Sequence, residues 1–209
     1  MKLKFIVDKA IDLRFAKNST QKKDIETAYK TGMPVLRYTA RIYQEAWDEI
    51  DDRFSAFIEK TTDTPWKHAQ YKCVVSVEHQ GISNWDGSNL IVRWWRENPY
   101  FARGITAHEL ILHHHFRILN EYYSDAELTD KEKWALSEIA AFALVGLTKE
   151  TRPFWPMKKF FYSTNHNYQT IVPLQKKLKQ AFLKQKNYDG YIRAGIRAVK
   201  SGKYQIDFC

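Results

Sequence analysis

The segment from Thr106 to Leu119, which reads T-A-H-E-L-I-L-H-H-H-F-R-I-L, restricts the possible structure more than any other part of this chain. Apolar residues recur through it at helical spacing. Asn98 and Pro99, just ahead of it, are typical of a helix N-cap and of the first helical position. The sequence therefore predicts a helix that carries five potential metal-binding or proton-accepting side chains: His108, Glu109, His113, His114 and His115.

The spacing of these side chains decides which of them could share a metal ion. Zinc hydrolases with an H-E-x-x-H motif hold zinc with two histidines one turn apart, and the glutamate beside the first is the general base. Here Leu112 stands four residues after His108, and His113 stands five residues after it, about 140° around a regular α-helix. One i→i+5 turn, a π-bulge, would return His113 to the face of His108. The pattern thus predicts either a bulged metal site or a helix that is only rich in histidine.

Read as H-E-x-x-x-H, the motif resembles the zincin metallopeptidases, and its one-residue expansion resembles the dipeptidyl peptidase III family. The resemblance to the gluzincin branch implies a Zn²⁺ ion held by His108, His113 and a glutamate on a following helix, for which Glu138 is the candidate. It also implies Glu109 as the catalytic base. Gluzincins often use a downstream histidine or tyrosine to stabilise the oxyanion, and this implies His166 or Tyr162. Many of them also carry an acidic residue four positions after the ligand glutamate, where this chain has Phe142.

The environment of Glu138 gives independent support for a ligand role. Its neighbours in W-A-L-S-E-I-A-A-F are mostly small or apolar, so the sequence predicts a buried carboxylate on a helix. A buried carboxylate is costly unless it is paired or bound to a metal. The alternative is that the His-Glu pair only complements the helix dipole and that His113, His114 and His115 form a solvated polar run.

The 209 residues, of which 44% are hydrophobic and 15% aromatic, suit one globular domain. We predict a mainly helical α+β fold whose small β-sheet packs on the zincin-like motif helix. Its parts are a helical N-terminal part (1–65), a sheet and metal-site core (70–150) and a basic helical C-terminal part (151–209). No run of about eighteen apolar residues, no signal-like N-terminus and no cysteine framework is present, so a cytoplasmic location is expected.

The remaining pattern predicts the elements around the motif helix. A helix is expected from about Thr20, and helical spacing indicates a long amphipathic helix from Pro34 to Lys60. The capping-box pattern of Thr129 and Glu132 predicts the start of the helix that carries Glu138. Two β-rich runs, 71–77 and 89–95, flank the turn-rich segment 80–88 and predict a hairpin or paired strands. The resemblance to zincins implies that Leu90–Trp94 is the edge strand that holds an extended substrate.

The positive charge is concentrated towards the C-terminus. From Lys149 to Cys209 there are thirteen lysines or arginines against three acidic residues. Because no nucleic-acid motif accompanies them, a lysine-coated helical surface is expected and nucleic acid is an unlikely partner. The predicted function is zinc-dependent hydrolysis of a peptide or protein substrate. The alternatives are an inactive zincin scaffold that serves as a binding or structural module, and a basic nucleic-acid-associated protein.

Overall fold

The structure, a computed structural model, describes residues 1–83, 88–155, 168–204 and 206. Within these residues the fold is α+β and mainly helical with one small mixed sheet, which confirms the predicted class. The chain groups into two compact units: Met1–Ser55 with His68–Leu110, and Ala56–Lys67 with Ile111–Cys209. None of the described helices is long and apolar enough to span a membrane.

In the described part of the chain, one strand comes first and is followed by three α-helices, three strands and four further α-helices. The strands are β1 (Lys2–Ile6), β2 (Gln70–Ser76), β3 (Gly81–Ser83) and β4 (Leu90–Trp94). The α-helices are α1 (Lys9–Arg14), α2 (Ser19–Asp48), α3 (Asp51–Thr62), α4 (Pro99–Tyr122), α5 (Asp130–Gly146), α6 (Val172–Lys184) and α7 (Tyr188–Lys200).

The sheet belongs to the first unit and has the strand order β1-β2-β4-β3. Strands β1, β2 and β4 run parallel, whereas β3 is antiparallel to β4. The predicted pairing of the two β-rich runs is confirmed, but they are parallel and do not form a hairpin with each other. The prediction that Leu90–Trp94 is the edge strand is wrong. The turn-rich segment supplies the short strand Gly81–Ser83, which pairs with β4 and takes the edge instead.

Helix α2 begins at Ser19, next to the predicted start near Thr20, and ends before Lys60, where the predicted long helix ends. Asn18 caps it by accepting from the backbone N–H of Gln21 at 2.9 Å, and the helix continues through Pro34. It stops at Asp48, because the N–H of Ile50 bonds to the carbonyl of Trp47 in a tighter turn. The indole of Trp47 also donates to Asp51 at 2.7 Å, across the junction with α3. One predicted helix is therefore two.

The first unit buries the sheet against α1 and α2. Strand β1 alternates, so that Leu3 and Phe5 are buried while Lys2 and Lys4 are exposed. Phe5 meets Tyr43 of α2 edge to face, with ring centroids 5.7 Å apart. These apolar contacts fix the face of the sheet on which α2 lies.

The second unit is helical where it is described. Helix α5 opens with the predicted capping box, in which Thr129 and Glu132 satisfy each other's backbone N–H groups. Gly195 of α7 lies close to α5, because a Cβ at this position would stand 2.8 Å from a methyl group of Leu136. A side chain larger than hydrogen at position 195 would require the Leu136 side chain to shift.

Candidate active site

The motif helix α4 begins where the sequence predicts. The side chain of Asn98 accepts from the backbone N–H of Tyr100 at 3.0 Å, and Pro99 is the first helical residue. Every residue from Pro99 to Tyr122 is α-helical, so this fully described helix contains no π-turn. The expected bulge is therefore not observed. Residues 106–115 are nearly all buried, and they pack against their neighbours as a regular helix. Five residues of regular helix leave His108 and His113 about 140° apart.

The predicted site residues fall into three groups. The boundary between the compact units lies after Leu110, so His108 and Glu109 belong to the first unit, whereas His113 and Glu138 belong to the second. Tyr162 and His166 lie outside the described residues. Among the residues that the structure does describe, no three His, Cys, Asp or Glu side chains are grouped so as to hold a metal ion.

In the first unit, Glu109 lies against the edge strand of the sheet. A Cβ on Gly81 would be 3.2 Å from Oε1 of Glu109 and 2.6 Å from Nη1 of Arg93. The carboxylate and the guanidinium thus converge over the backbone of β3 at a residue that has no side chain. A side chain at position 81 would require the guanidinium to shift. The arrangement places a proton acceptor beside a strand edge, where an extended chain can add by backbone hydrogen bonds.

Arg93 anchors this arrangement from within the sheet. It is 3% exposed and forms a short ion pair with Glu97. Burial raises the pKa of the Glu97 carboxyl, while the positive charge of Arg93 acts in the opposite direction. The N–H of Glu97 also donates to the hydroxyl of Tyr43 at 3.0 Å. Burial raises the pKa of that phenol, which therefore stays protonated.

Arg93, Glu97 and Gly81 were not among the predicted site residues. A signal for the first two exists in the sequence, because an arginine interrupts the apolar run L-I-V-R-W and a glutamate follows it four residues later. Buried arginines in strands are generally paired. No comparable signal marks Gly81, whose role depends on which strand lies next to it.

In the second unit the histidine run is buried, so its interpretation as a solvated polar surface is wrong. His113, His114 and His115 are each no more than 3% exposed. The ring of His114 lies 4.6 Å from that of Trp66, and its Nε2 is 3.0 Å from Oγ1 of Thr62. Burial lowers the pKa of His114 well below its usual value. His114 is therefore neutral at physiological pH and acts in packing.

Contacts of His115 bring α5 against the second half of α4. Nδ1 of His115 lies 3.2 Å from Oγ of Ser137, the residue before Glu138. Burial lowers the pKa of His115 to about 3, so this imidazole is also neutral at physiological pH. Glu138 is 5% exposed, which confirms the predicted burial of its carboxylate. The helix of His113 and the helix of Glu138 are thus neighbours within this unit.

Comparison of the chain with protein-family models, with curated proteins and with solved structures finds no match.

Proposed function

We propose that this protein is a zinc-dependent peptidase in which Glu109 is the general base. The observation that carries the proposal is the position of Glu109 against Gly81 of the edge strand. A hydrolase that cleaves a peptide bond needs a proton acceptor close to where the substrate backbone lies. The motif glutamate Glu109 and an edge strand lie close together in one compact unit, which is consistent with this requirement.

The proposed zinc ligands are His108, His113 and Glu138. Their donor types suit zinc, which binds imidazole nitrogen and carboxylate oxygen, and all three residues are buried. The regular α4 does not direct both imidazoles to one ion, so the proposal requires one i→i+5 turn between His108 and His113 when zinc binds. When bound, zinc lowers the pKa of a water molecule and polarises the scissile carbonyl.

The residues of the chain supply the remaining steps. Glu109 accepts a proton from the attacking water and returns it to the leaving amine. The outer edge of β3 binds the substrate backbone as an added strand, and the absence of a side chain at Gly81 keeps that backbone close to the carboxylate. Arg93, held by its ion pair with Glu97, borders the same position over Gly81 as Glu109 does. Tyr162 and His166 stay candidates for stabilising the oxyanion.

A second candidate function is a peptide-binding module that does not cleave its ligand. The regular geometry of α4 favours it, because a helix without the π-turn cannot offer His108 and His113 to the same zinc ion. Such a module would use the same edge of β3. The two candidates differ in zinc content and in turnover.

The test is metal analysis of the purified, untagged protein, followed by a peptidase assay of the zinc-loaded wild type and Glu109→Gln. We expect one zinc per chain and activity in the wild type, because the ligands and the base are both present. In Glu109→Gln we expect full zinc content with nearly all activity lost, because an amide cannot accept the proton of the water. Undiminished turnover in the variant would exclude Glu109 as the base. A protein without stoichiometric zinc would favour the binding module.

The proposed partner is a peptide or protein substrate, and the proposed location is the cytoplasm. The buried free thiol of Cys73 is consistent with a reducing compartment.

A further inference from the structure

A second candidate site lies in the second unit, between helices α6 and α7. A groove of about 590 Å³ opens there, and its half-buried floor is formed by small residues. These floor residues are Ala181 on α6 and Ala194 and Ala198 on α7. Because alanine side chains are short, a ligand can approach the backbones of both helices.

Four exposed cations line this groove, which we call the basic groove. They are Lys177 and Lys184 on α6, Arg197 on α7, and Lys203 just after α7. No acidic side chain is among the described lining residues. None of the four cations forms an ion pair with any residue in the described part of the chain. Four like charges around one concave surface repel one another and attract anions.

Two other cations of the same unit, Arg193 and Lys200, differ from those of the basic groove because they form ion pairs. Arg193 pairs with Asp189 at 3.0 Å, and Lys200 pairs with Glu132 at 3.3 Å. Asp189 and Glu132 are thus engaged by cations outside the groove lining. Lysines that serve only solubility can be spread over the surface. Here four cations without ion pairs to described residues instead surround one groove.

The shape and chemistry of the basic groove favour one kind of polyanion. Axes of packed helices lie about 8–10 Å apart, so cations on α6 and α7 can contact the phosphates of one strand. Gln180 and Ser201 add hydrogen-bonding groups, and the half-buried ring of Tyr204 adds an aromatic surface. Basic grooves with aromatic side chains are typical of single-stranded nucleic-acid binding. A lipid surface is disfavoured, because membrane-binding faces carry large apolar side chains and alanine is the only apolar residue in the lining besides Tyr204.

We propose that the basic groove binds the phosphate backbone of single-stranded nucleic acid without sequence preference. The lysines and the arginine contact phosphates, and Tyr204 stacks on a base at one end. This inference concerns a surface separate from the peptidase proposal and does not depend on it. It also departs from the sequence-based expectation that nucleic acid is an unlikely partner.

The test measures binding of the full chain to a fluorescent oligouridylate of about 15 nucleotides by anisotropy over a range of salt concentrations. If four phosphates are neutralised, the logarithm of the binding constant should fall with the logarithm of salt with a slope of about −3. Lys184→Glu/Arg197→Glu should weaken binding about tenfold or more and roughly halve that slope. A second oligonucleotide of different sequence should bind with similar affinity.

The matched control is Lys176→Glu/Lys179→Glu, which makes the same change of net charge on exposed residues of α6 that do not line the groove. It should bind almost as tightly as the wild type. Equal losses in the two double variants would overturn the proposal, because net charge alone would then explain binding. So would a wild type that does not bind at low salt. Polyglutamate or anionic phospholipid vesicles that compete as well as the oligonucleotide would exclude nucleic acid as the specific occupant. Thermal unfolding of each variant checks that these surface changes leave the fold intact.

Discussion

Gly81 and Arg93 are register partners across the antiparallel strands β3 and β4, and Nη1 of Arg93 lies 2.6 Å from where a Cβ on Gly81 would be. The guanidinium therefore occupies the space that a side chain at position 81 would need. Oε1 of Glu109 borders the same space. The edge strand, the buried arginine and the candidate base are coupled through this one glycine.

Gly81→Ala should destabilise the protein. Arg93 ends in a flexible group, but its burial and its pair with Glu97 prevent it from moving aside freely. Overpacking of this kind typically costs about 1–3 kcal/mol of unfolding free energy, which urea denaturation measures. Gly32→Ala is the control, because Gly32 lies in α2 with no heavy atom within 4 Å of the added Cβ. It should raise stability by up to about 1 kcal/mol. Wild-type stability in Gly81→Ala would refute the close approach.

Removing one partner of the buried ion pair should cost more than removing both. Arg93→Met leaves Glu97 as a carboxylate without its partner in a largely buried position, for which losses of about 3–5 kcal/mol are typical. In Arg93→Met/Glu97→Gln the buried negative charge is absent, so we expect much of that loss to be recovered. Urea denaturation of Arg93→Met, of Glu97→Gln and of the double variant gives the coupling energy between the two side chains. Strictly additive losses would show that the two side chains do not interact.

Two neighbouring carboxylates at the start of α3 should give opposite dependences of stability on pH. Burial raises the pKa of Asp51 above 3.8. The folded state therefore holds this proton more tightly than the unfolded state, and stability falls as pH rises from 3.8 through the folded pKa. A hydrogen bond from Lys2 lowers the pKa of exposed Asp52, so its contribution is present above 3.8 and is lost as pH falls through the folded pKa.

Unfolding free energies of Asp51→Asn and Asp52→Asn, measured from about pH 3 to pH 7 and subtracted from those of the wild type, test these signs. Asp51→Asn keeps an oxygen that can accept from the indole of Trp47, so the difference should report mainly the charge. The difference for Asp51→Asn should grow in favour of the variant as pH rises. If the stability differences for both variants changed in the same direction as pH rises, the assignment of burial to Asp51 and of pairing to Asp52 would be contradicted.

The zinc proposal predicts selective loss of metal among four alanine variants. His108→Ala, His113→Ala and Glu138→Ala should each lose zinc, because each removes one of three protein ligands. His114→Ala should retain it. That variant also loses its contacts with Trp66 and Thr62 and so starts from a lower stability. The zinc-induced rise in melting temperature, together with zinc content, is therefore the measurement to compare. Equal, weak zinc retention in all four would indicate adventitious binding.

The sequence predicted local features well because their causes are local. The N-cap at Asn98, the capping box of Thr129 and Glu132, and the burial of Glu138 each depend on a few neighbouring residues. The helix break between Asp48 and Asp51 was missed, because apolar positions keep helical spacing through it and only the hydrogen bonds of Trp47 reveal the turn.

Features set by distant partners could not be predicted in the same way. Gly81–Ser83 looks like part of a turn, and only its pairing with β4 makes it the edge strand. The convergence of Arg93 and Glu109 over Gly81 follows from that strand order and not from any spacing in the sequence. The basic groove likewise depends on how α6 packs against α7, since charge counts alone describe a basic region without showing which cations face each other.

The parallel pairing of β1 with β2 also has a consequence for how the first unit folds. Lys2 is the register partner of Gln70, and Ile6 is the register partner of Val74. Strand β1 therefore forms its sheet hydrogen bonds only with residues far along the chain. Closing such a long loop costs entropy before any contact compensates for it, and non-local pairing of this kind slows folding. During synthesis α2 can form while the sheet cannot. Completion of the sheet is therefore expected to be the slow step, with β1 as a late strand.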